Sequence, residues 1–278
     1  MQVLNVRNLC KTYPSFSLQN VSFSMEKGTI MGLIGKNGAG KTTTLKSILQ
    51  IIKPDSGEIS LFGMDGNAHE TAIRERIGFV SGSAGYYPMK TVRQIAAVTK
   101  NFYPSWDEDA YRQYLRRFSL DENKKVRELS EGMKVKFQLA LALSHRAELL
   151  ILDEPTSGLD PVSRDDLLEV FLSLCEDRGV CVLFSTHVTS DLEKCADTVT
   201  YLQNGRMLAC EEKERLLQRY RVYRGAERVE GLIGARTHHG ITEGLLRKED
   251  AADASLRIPT LEELMIFLER EAENEASS

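Results

Sequence analysis

Gly35-Lys36-Asn37-Gly38-Ala39-Gly40-Lys41-Thr42 satisfies the pattern G-x-x-x-x-G-K-[ST], whose chemistry is the binding of nucleotide phosphates. Glycines let backbone N–H groups curl around phosphate oxygens, and the positive end of the following helix adds to that field. Lys41 supplies a mobile charge for the terminal phosphates, and Thr42 offers a hydroxyl to Mg²⁺. The nucleotide-binding set in this stretch reads as Gly35, Asn37, Gly38, Ala39, Gly40, Lys41, Thr42 and Thr43. A second chemical group is Asp153-Glu154, two carboxylates just beyond the apolar run Leu149-Leu150-Ile151-Leu152, where α/β sheets bind ligands. Asp153 suits the Mg²⁺ shell, and Glu154 suits a general base or water-orienting group. Standing alone, such an acid pair reads equally as ordinary strand-end carboxylates at a helix cap. Beside a phosphate loop, the catalytic reading takes precedence.

The elements that must position these groups follow from periodicity. Thr29-Ile30-Met31-Gly32-Leu33-Ile34 is an apolar run that reads as a buried parallel strand, and Leu45, Ile48, Leu49 and Ile52 follow at helical spacing. Ahead of them, Val3-Leu4-Asn5-Val6 and the spaced apolar residues from Phe16 to Met25 predict an antiparallel sheet punctuated by Pro14. Further strands are expected at residues 58–62, 77–80, 149–152 and 180–184, with a mainly helical stretch at about 91–146 and a helix from Pro161. The predicted fold class is α/β: a phosphate-loop core on a parallel sheet, an antiparallel β subdomain, an α-helical insertion and a small C-terminal appendage. The expected boundaries are 1–219 for the main domain and 220–278 for the appendage, where the periodicity breaks. Thr260 and Glu263 predict a capping box opening a last helix, and residues 269–278 read as a fraying, glutamate-rich polar tail.

Bulk properties narrow the class. A chain of 278 residues buries a full core, and its formal charge of −4 gives no basic footprint for nucleic acid. The five cysteines are odd in number and form no C-x-x-C pair, which fits reduced cytosolic thiols better than a disulfide framework. No signal peptide opens the sequence, and Ser144-His145-Arg146 and Glu148 interrupt its longest apolar stretches before they could span a bilayer. Any membrane work is therefore expected to pass through a separate partner. His238-His239 offers no third ligand, and no metal is assigned there.

With these residues in order, the chain resembles an ATP-binding cassette (ABC) ATPase over residues 3–212. Leu129-Ser130-Glu131-Gly132-Met133 resembles the family signature, Ser157-Gly158-Leu159-Asp160 its D-loop, and Ser185-Thr186-His187 its switch histidine. The resemblance implies an ATP hydrolase with Mg²⁺ as cofactor, in which Glu154, His187 and Lys41 are catalytic. Ser130 and Gly132 then reach the γ-phosphate held by a second subunit, and Asp160 lies at the dimer interface. Tyr13 corresponds to the aromatic that stacks on adenine, with simple packing in the sheet as the alternative. Taken alone, Ser130 reads as a helix N-cap and His187 as a structural histidine.

The implied protein is a transporter motor subunit, cytoplasmic and peripheral on the inner face of the membrane. It works as a homodimer or heterodimer with a transmembrane permease subunit, and nucleic acid is not an expected partner. A soluble cassette ATPase acting on a ribosomal, DNA or assembly partner is the alternative, and a non-hydrolytic regulatory cassette is a third. Phe102-Tyr103-Pro104-Ser105-Trp106 and Ser130-Glu131-Gly132-Met133-Lys134 resemble bacterial exporters that handle peptides or envelope stress. Two positions depart from the family. Gly82 stands where a glutamine is usual and has no side chain for Mg²⁺, leaving Ser81 or Ser83 as substitutes or a weaker coupling to the membrane partner. Met133 replaces the common glutamine of the signature and removes a polar contact near the nucleotide. The loop at residues 82–90, with Tyr86, Tyr87 and Pro88, reads as the docking surface.

Overall fold

A computed structural model describes residues 2–66, 68–81, 87–226, 229–251 and 256–277. At its N-terminal edge, β1 (Gln2–Tyr13) and β2 (Phe16–Glu26) pair antiparallel across the turn at Pro14-Ser15, with Tyr13 registered against Phe16. Next come β3 (Ile30–Ile34), buried at every position, and α1 (Lys41–Ile48). β4 (Ser56–Leu61) and β5 (Met64–Asp65) extend the antiparallel layer beyond β1. The chain then returns through the short α2 (Glu70–Arg74) to β6 (Ile77–Ser81). The helical segment comprises α3 (Val92–Thr99), α4 (Glu108–Arg117) and α5 (Glu131–Ser144). It is followed by β7 (Leu149–Asp153), α6 (Pro161–Arg178), β8 (Cys181–Thr186), α7 (Thr189–Cys195), β9 (Thr198–Gln203), β10 (Arg206–Glu212) and α8 (Lys213–Gln218).

Among the described residues, ten strands form one sheet in the order β5-β4-β1-β2-β10-β9-β3-β8-β7-β6. β9, β3, β8, β7 and β6 run parallel. Their near-continuous Val, Ile and Leu runs suit strands covered on both faces. This is the α/β phosphate-loop architecture expected from the sequence. The antiparallel layer meets the parallel one at β2 and β10, where Gln19 is registered against Arg206. Parallel strands place all their C-terminal ends on one edge, so the residues just after β3, β7 and β8 converge.

The C-terminal region departs from its reading. It holds a three-stranded sheet, β11 (Tyr220–Gly225), β12 (Ile233–His238) and β13 (Ile241–Arg247), in the order β11-β13-β12. His239 and Gly240, at φ +51° and +77°, form the two-residue turn between β12 and β13, so the paired histidines mark a hairpin corner. Weak alternation across short strands hides them from a periodicity search. α9 (Leu261–Ser277) follows. Its capping box is present: Glu263 N–H donates to Thr260 Oγ1 at 3.2 Å, and Thr260 N–H donates to Glu263 Oε2 at 3.0 Å. The Arg257 guanidinium, hydrogen-bonded to Glu263, holds that carboxyl down at about 2. The stretch read as a fraying tail from 269 continues α9 instead: Glu269 is 6% exposed, while Glu273 and Asn274 face solvent, and upstream Leu261, Leu264 and Phe267 join the same buried cluster as Phe171 and Phe184.

His145 ties the helical segment to the core. Its ring lies 3.8 Å from that of Tyr103, nearly parallel, and its Nδ1 is 3.2 Å from the Glu75 carbonyl. Burial pushes its pKa from 6.5 down to about 4, so the folded chain keeps it neutral where the unfolded chain takes a proton. Stability is therefore full above pH 6.5 and is lost as pH falls toward 4, by on the order of 3 kcal/mol. Urea denaturation of His145→Asn across that range should show a flatter pH slope than the native chain. An unchanged slope would remove His145 as the cause.

Candidate functional site

Gly35 follows β3 and begins a loop that runs directly over the end of β9. A Cβ at this position would lie 2.2 Å from the Leu202 carbonyl oxygen, so only glycine admits the approach. Gly40, at φ +108°, is the N-cap of α1 and contributes no side chain to the first-turn amides. The loop and α1 border a cavity of about 600 Å³, lined by Lys36, Asn37, Gly38, Gly40, Lys41, Thr42 and Thr43. Glu154, Ser157 and His187 close it from the ends of β7 and β8, and Ser15 and Phe16 from the β1–β2 hairpin.

Inside the cavity the charged groups face one another. The Lys41 side chain is 6% exposed and folds back, its Nζ donating to the carbonyls of Gly35 at 2.7 Å and Lys36 at 3.3 Å. The same nitrogen lies 3.4 Å from Glu154 Oε1, while Glu154 Oε2 is 2.8 Å from His187 Nδ1. Glu154 itself sits at φ +50°, a conformation sparsely populated by residues with side chains and found at functional turns. Its N–H is held by the Ser185 hydroxyl at 3.0 Å. Thus β8 fixes the backbone from which Glu154 projects.

Thr42 Oγ1 stands 3.0 and 3.1 Å from the two Asp153 oxygens, and Ser185 donates to Asp153 at 2.6 Å. A hydroxyl and a carboxylate meeting at the mouth of a phosphate loop are hard oxygen donors, and this set fits Mg²⁺ completed by phosphate and water oxygens. Ser81, last residue of β6, is registered against Asp153. Its backbone is clasped by the buried Gln138 of α5, which accepts from Ser81 N–H at 3.0 Å and donates to its carbonyl at 3.1 Å. Gln138 carries no motif and was invisible to sequence reading. Gly82, Ser83 and Tyr86 lie outside the described residues.

Other sequence-selected residues stand apart from the cavity. Ser130 is the N-cap of α5, accepting from Met133 N–H at 3.3 Å. A Cβ added at Gly132 would meet Leu159 and Ser163 at ordinary contact distance, so the position faces them without requiring glycine. Asp160 caps α6, and the Ser163 hydroxyl donating to it at 2.6 Å holds its carboxyl below the ordinary range. Ala39 is buried beneath the loop. Tyr13 is 36% exposed and stacks on Phe16, which itself lines the cavity, so the hairpin presents two rings rather than one. Behind Ser157, the buried Thr156 hydroxyl donates to Asp191 at 2.6 Å, joining the segment after β7 to α7. Burial pushes the Asp191 carboxyl up.

Residues 18–157 match the family model described as ABC transporter. Among curated proteins, the ABC transporter ATP-binding protein YtrB of Bacillus subtilis (strain 168) is 33% identical over 73% of this chain and 69% of its own length. The bacitracin transport ATP-binding protein BcrA of Bacillus licheniformis is 34% identical over 80% of this chain and 73% of its own. A solved structure described as an ATP-binding subunit of an ABC transporter superposes with a TM-score of 0.69 at 29% identity, covering 77% of this chain and 91% of that one. A dimeric cassette, MJ0796 bound to ADP and Pi, shares the fold with a TM-score of 0.67 at 23% identity, over 75% of this chain and 98% of that one.

Lys41→Ala should lose most ATP binding, by about tenfold or more, because the buried cation that faces the cavity is removed. Equilibrium titration with ATP checks this, and native affinity in the variant would contradict the phosphate assignment.

Proposed function

Because the chain belongs to the ABC transporter family as an ATP-hydrolysing, ATP-binding subunit, we propose that it acts as a dimer that closes around two ATP molecules and drives a transmembrane permease. The observation that carries this reading is the separation of the chemical groups: Lys41, Glu154 and His187 meet in one cavity, while Ser130 and Gly132 lie outside its lining. One chain therefore offers a phosphate cradle and, elsewhere, an anion-binding helix start. Two chains opposed head to tail can complete both.

In the resting site, Lys41 is satisfied by loop carbonyls and Glu154. Phosphate oxygens are stronger partners for an ammonium than carbonyls, so ATP draws Lys41 onto the terminal phosphates and frees Glu154 from it. Glu154 then accepts a hydrogen bond from water, held in line by His187, whose ring is already aligned by its contact with Glu154. Backbone amides of the loop and Ser130 from the second subunit stabilise charge on the transferred group. Thr42 and Asp153 are the residues that would hold Mg²⁺, which when bound neutralises phosphate charge. Tyr13 and Phe16 supply the flat apolar faces for the base.

The permease contact is assigned to the surface beside β6. A groove of about 210 Å³ is lined by Ile48, Ile51, Ile73, Phe79 and Tyr103, with Ile51 58% exposed. Tyr87 and Met89 are also exposed, at 75% and 56%. Such a patch suits an apolar helix of a membrane partner, and no helix among the described residues is itself long and apolar enough to cross a membrane. We place the subunit on the cytoplasmic face of that partner, where ATP is supplied. A relative described as a Nod factor export ATP-binding protein supports export as the direction.

Glu154→Gln should bind ATP with unchanged affinity, lose turnover by at least about a hundredfold, and accumulate as an ATP-bound dimer. Light scattering with and without ATP reads the dimer, and normal hydrolysis would sink the role given to Glu154. Tyr87→Ala with Met89→Ala should abolish co-purification with the permease while basal ATPase stays within about twofold. Undiminished co-purification removes the docking assignment.

A further inference from the structure

The Lys36 side chain leaves the phosphate loop and pairs with the C-terminal helix. Its Nζ lies 2.7 Å from Glu273 Oε1 and 3.5 Å from Glu269 Oε2. Glu273 is an exposed acid, but the Glu269 side chain is only 8% exposed. The other Glu269 oxygen accepts from the buried Tyr201 hydroxyl at 3.0 Å, and Gln203 donates to the Leu268 carbonyl at 3.3 Å. Both of these partners belong to β9, whose Leu202 carbonyl lies so close to Gly35 that no Cβ fits there. One strand end therefore fixes the loop on one side and the acidic turn of α9 on the other. The separation of Lys36 from Glu269 is set by packing, not by the ion pair itself.

A carboxylate taken out of water needs a countercharge, and Lys36 supplies it to Glu269. Hydrogen bonding to Glu273 in turn holds the Lys36 ammonium above its ordinary range. Yet Lys36 is half exposed and lines the same cavity as Lys41. Its flexible stem can serve either set of anions, the α9 carboxylates or the phosphates of an incoming nucleotide.

We propose that Glu269 and Glu273 are positioning residues that hold Lys36 away from the phosphate cradle, so that the C-terminal helix lowers the affinity for ATP and competes with the nucleotide for this cation. Linkage makes the effect reciprocal: phosphate that captures Lys36 strips Glu269 of its countercharge and loosens α9. Nucleotide occupancy is thereby reported to the appendage through a single side chain. The inference rests on ATP binding at the Lys41 cradle.

The test is equilibrium titration with MgATP on the full chain carrying Glu273→Gln, Glu269→Gln, Lys36→Ala and the paired variants. Glu273→Gln and Glu269→Gln should each bind MgATP about two- to fivefold tighter, the range an exposed to half-buried ion pair supports. That gain should vanish in the Lys36→Ala background, and in Glu273→Gln and Glu269→Gln alone kcat should stay near the native value. Unchanged affinity in Glu273→Gln, which lies on the surface and does not threaten folding, overturns the proposal; so does an equal gain with and without Lys36. Hydrogen exchange supplies a readout that a merely structural contact would not move: MgATP should speed exchange across α9 in the native chain and not in Lys36→Ala. Lost affinity in Lys41→Ala with no effect of the α9 variants defeats this inference alone, whereas full affinity in Lys41→Ala defeats the cradle as well.

Discussion

The Lys41 ammonium is the constraint around which the rest is arranged. A cation at 6% exposure persists only with partners, and here they are two loop carbonyls and the Glu154 carboxylate. Each partner comes from a different place in the fold. The carbonyls require the tight loop after β3, and Glu154 requires the strained turn after β7 that Ser185 of β8 secures. The site is thus wound around its own cation.

That arrangement follows from a parallel sheet. Strands that share one direction put the ends of β3, β7 and β8 on one edge, which brings Thr42 within 3.1 Å of Asp153, a residue 111 positions later. The same geometry leaves Ser130 and Gly132 on another face, because α5 begins beside Leu159 and Ser163 instead of beside α1.

Much of this is legible in the residues alone. The glycine loop, the strand-end acids and the order of Ser130, Asp160 and His187 are local patterns, and local patterns survive without knowledge of packing. The parts that escape are those made by non-local contact. Phe16 carries no motif, but the β1–β2 register turns it over the loop beside Tyr13. Gln138 looks like one more helix residue until its amide is found on the Ser81 backbone. The glutamates of α9 read as solvated because composition counts charge and cannot see Tyr201 and Lys36 waiting for it. Likewise, β11 to β13 are short and weakly alternating, and α9 packs against β12 and β13.

The sequence by itself determines the phosphate-binding chemistry, the α/β class and the family, since each rests on residue types at fixed spacing along the chain. Tertiary structure decides which charge answers which. It alone pairs Glu154 with both Lys41 and His187, seats Thr42 on Asp153, and sets Lys36 of the phosphate loop against the carboxylates of the last helix. The reason is physical: an ion pair or hydrogen bond depends on distances of a few ångströms between residues tens to hundreds apart in sequence, and only the folded sheet sets those distances.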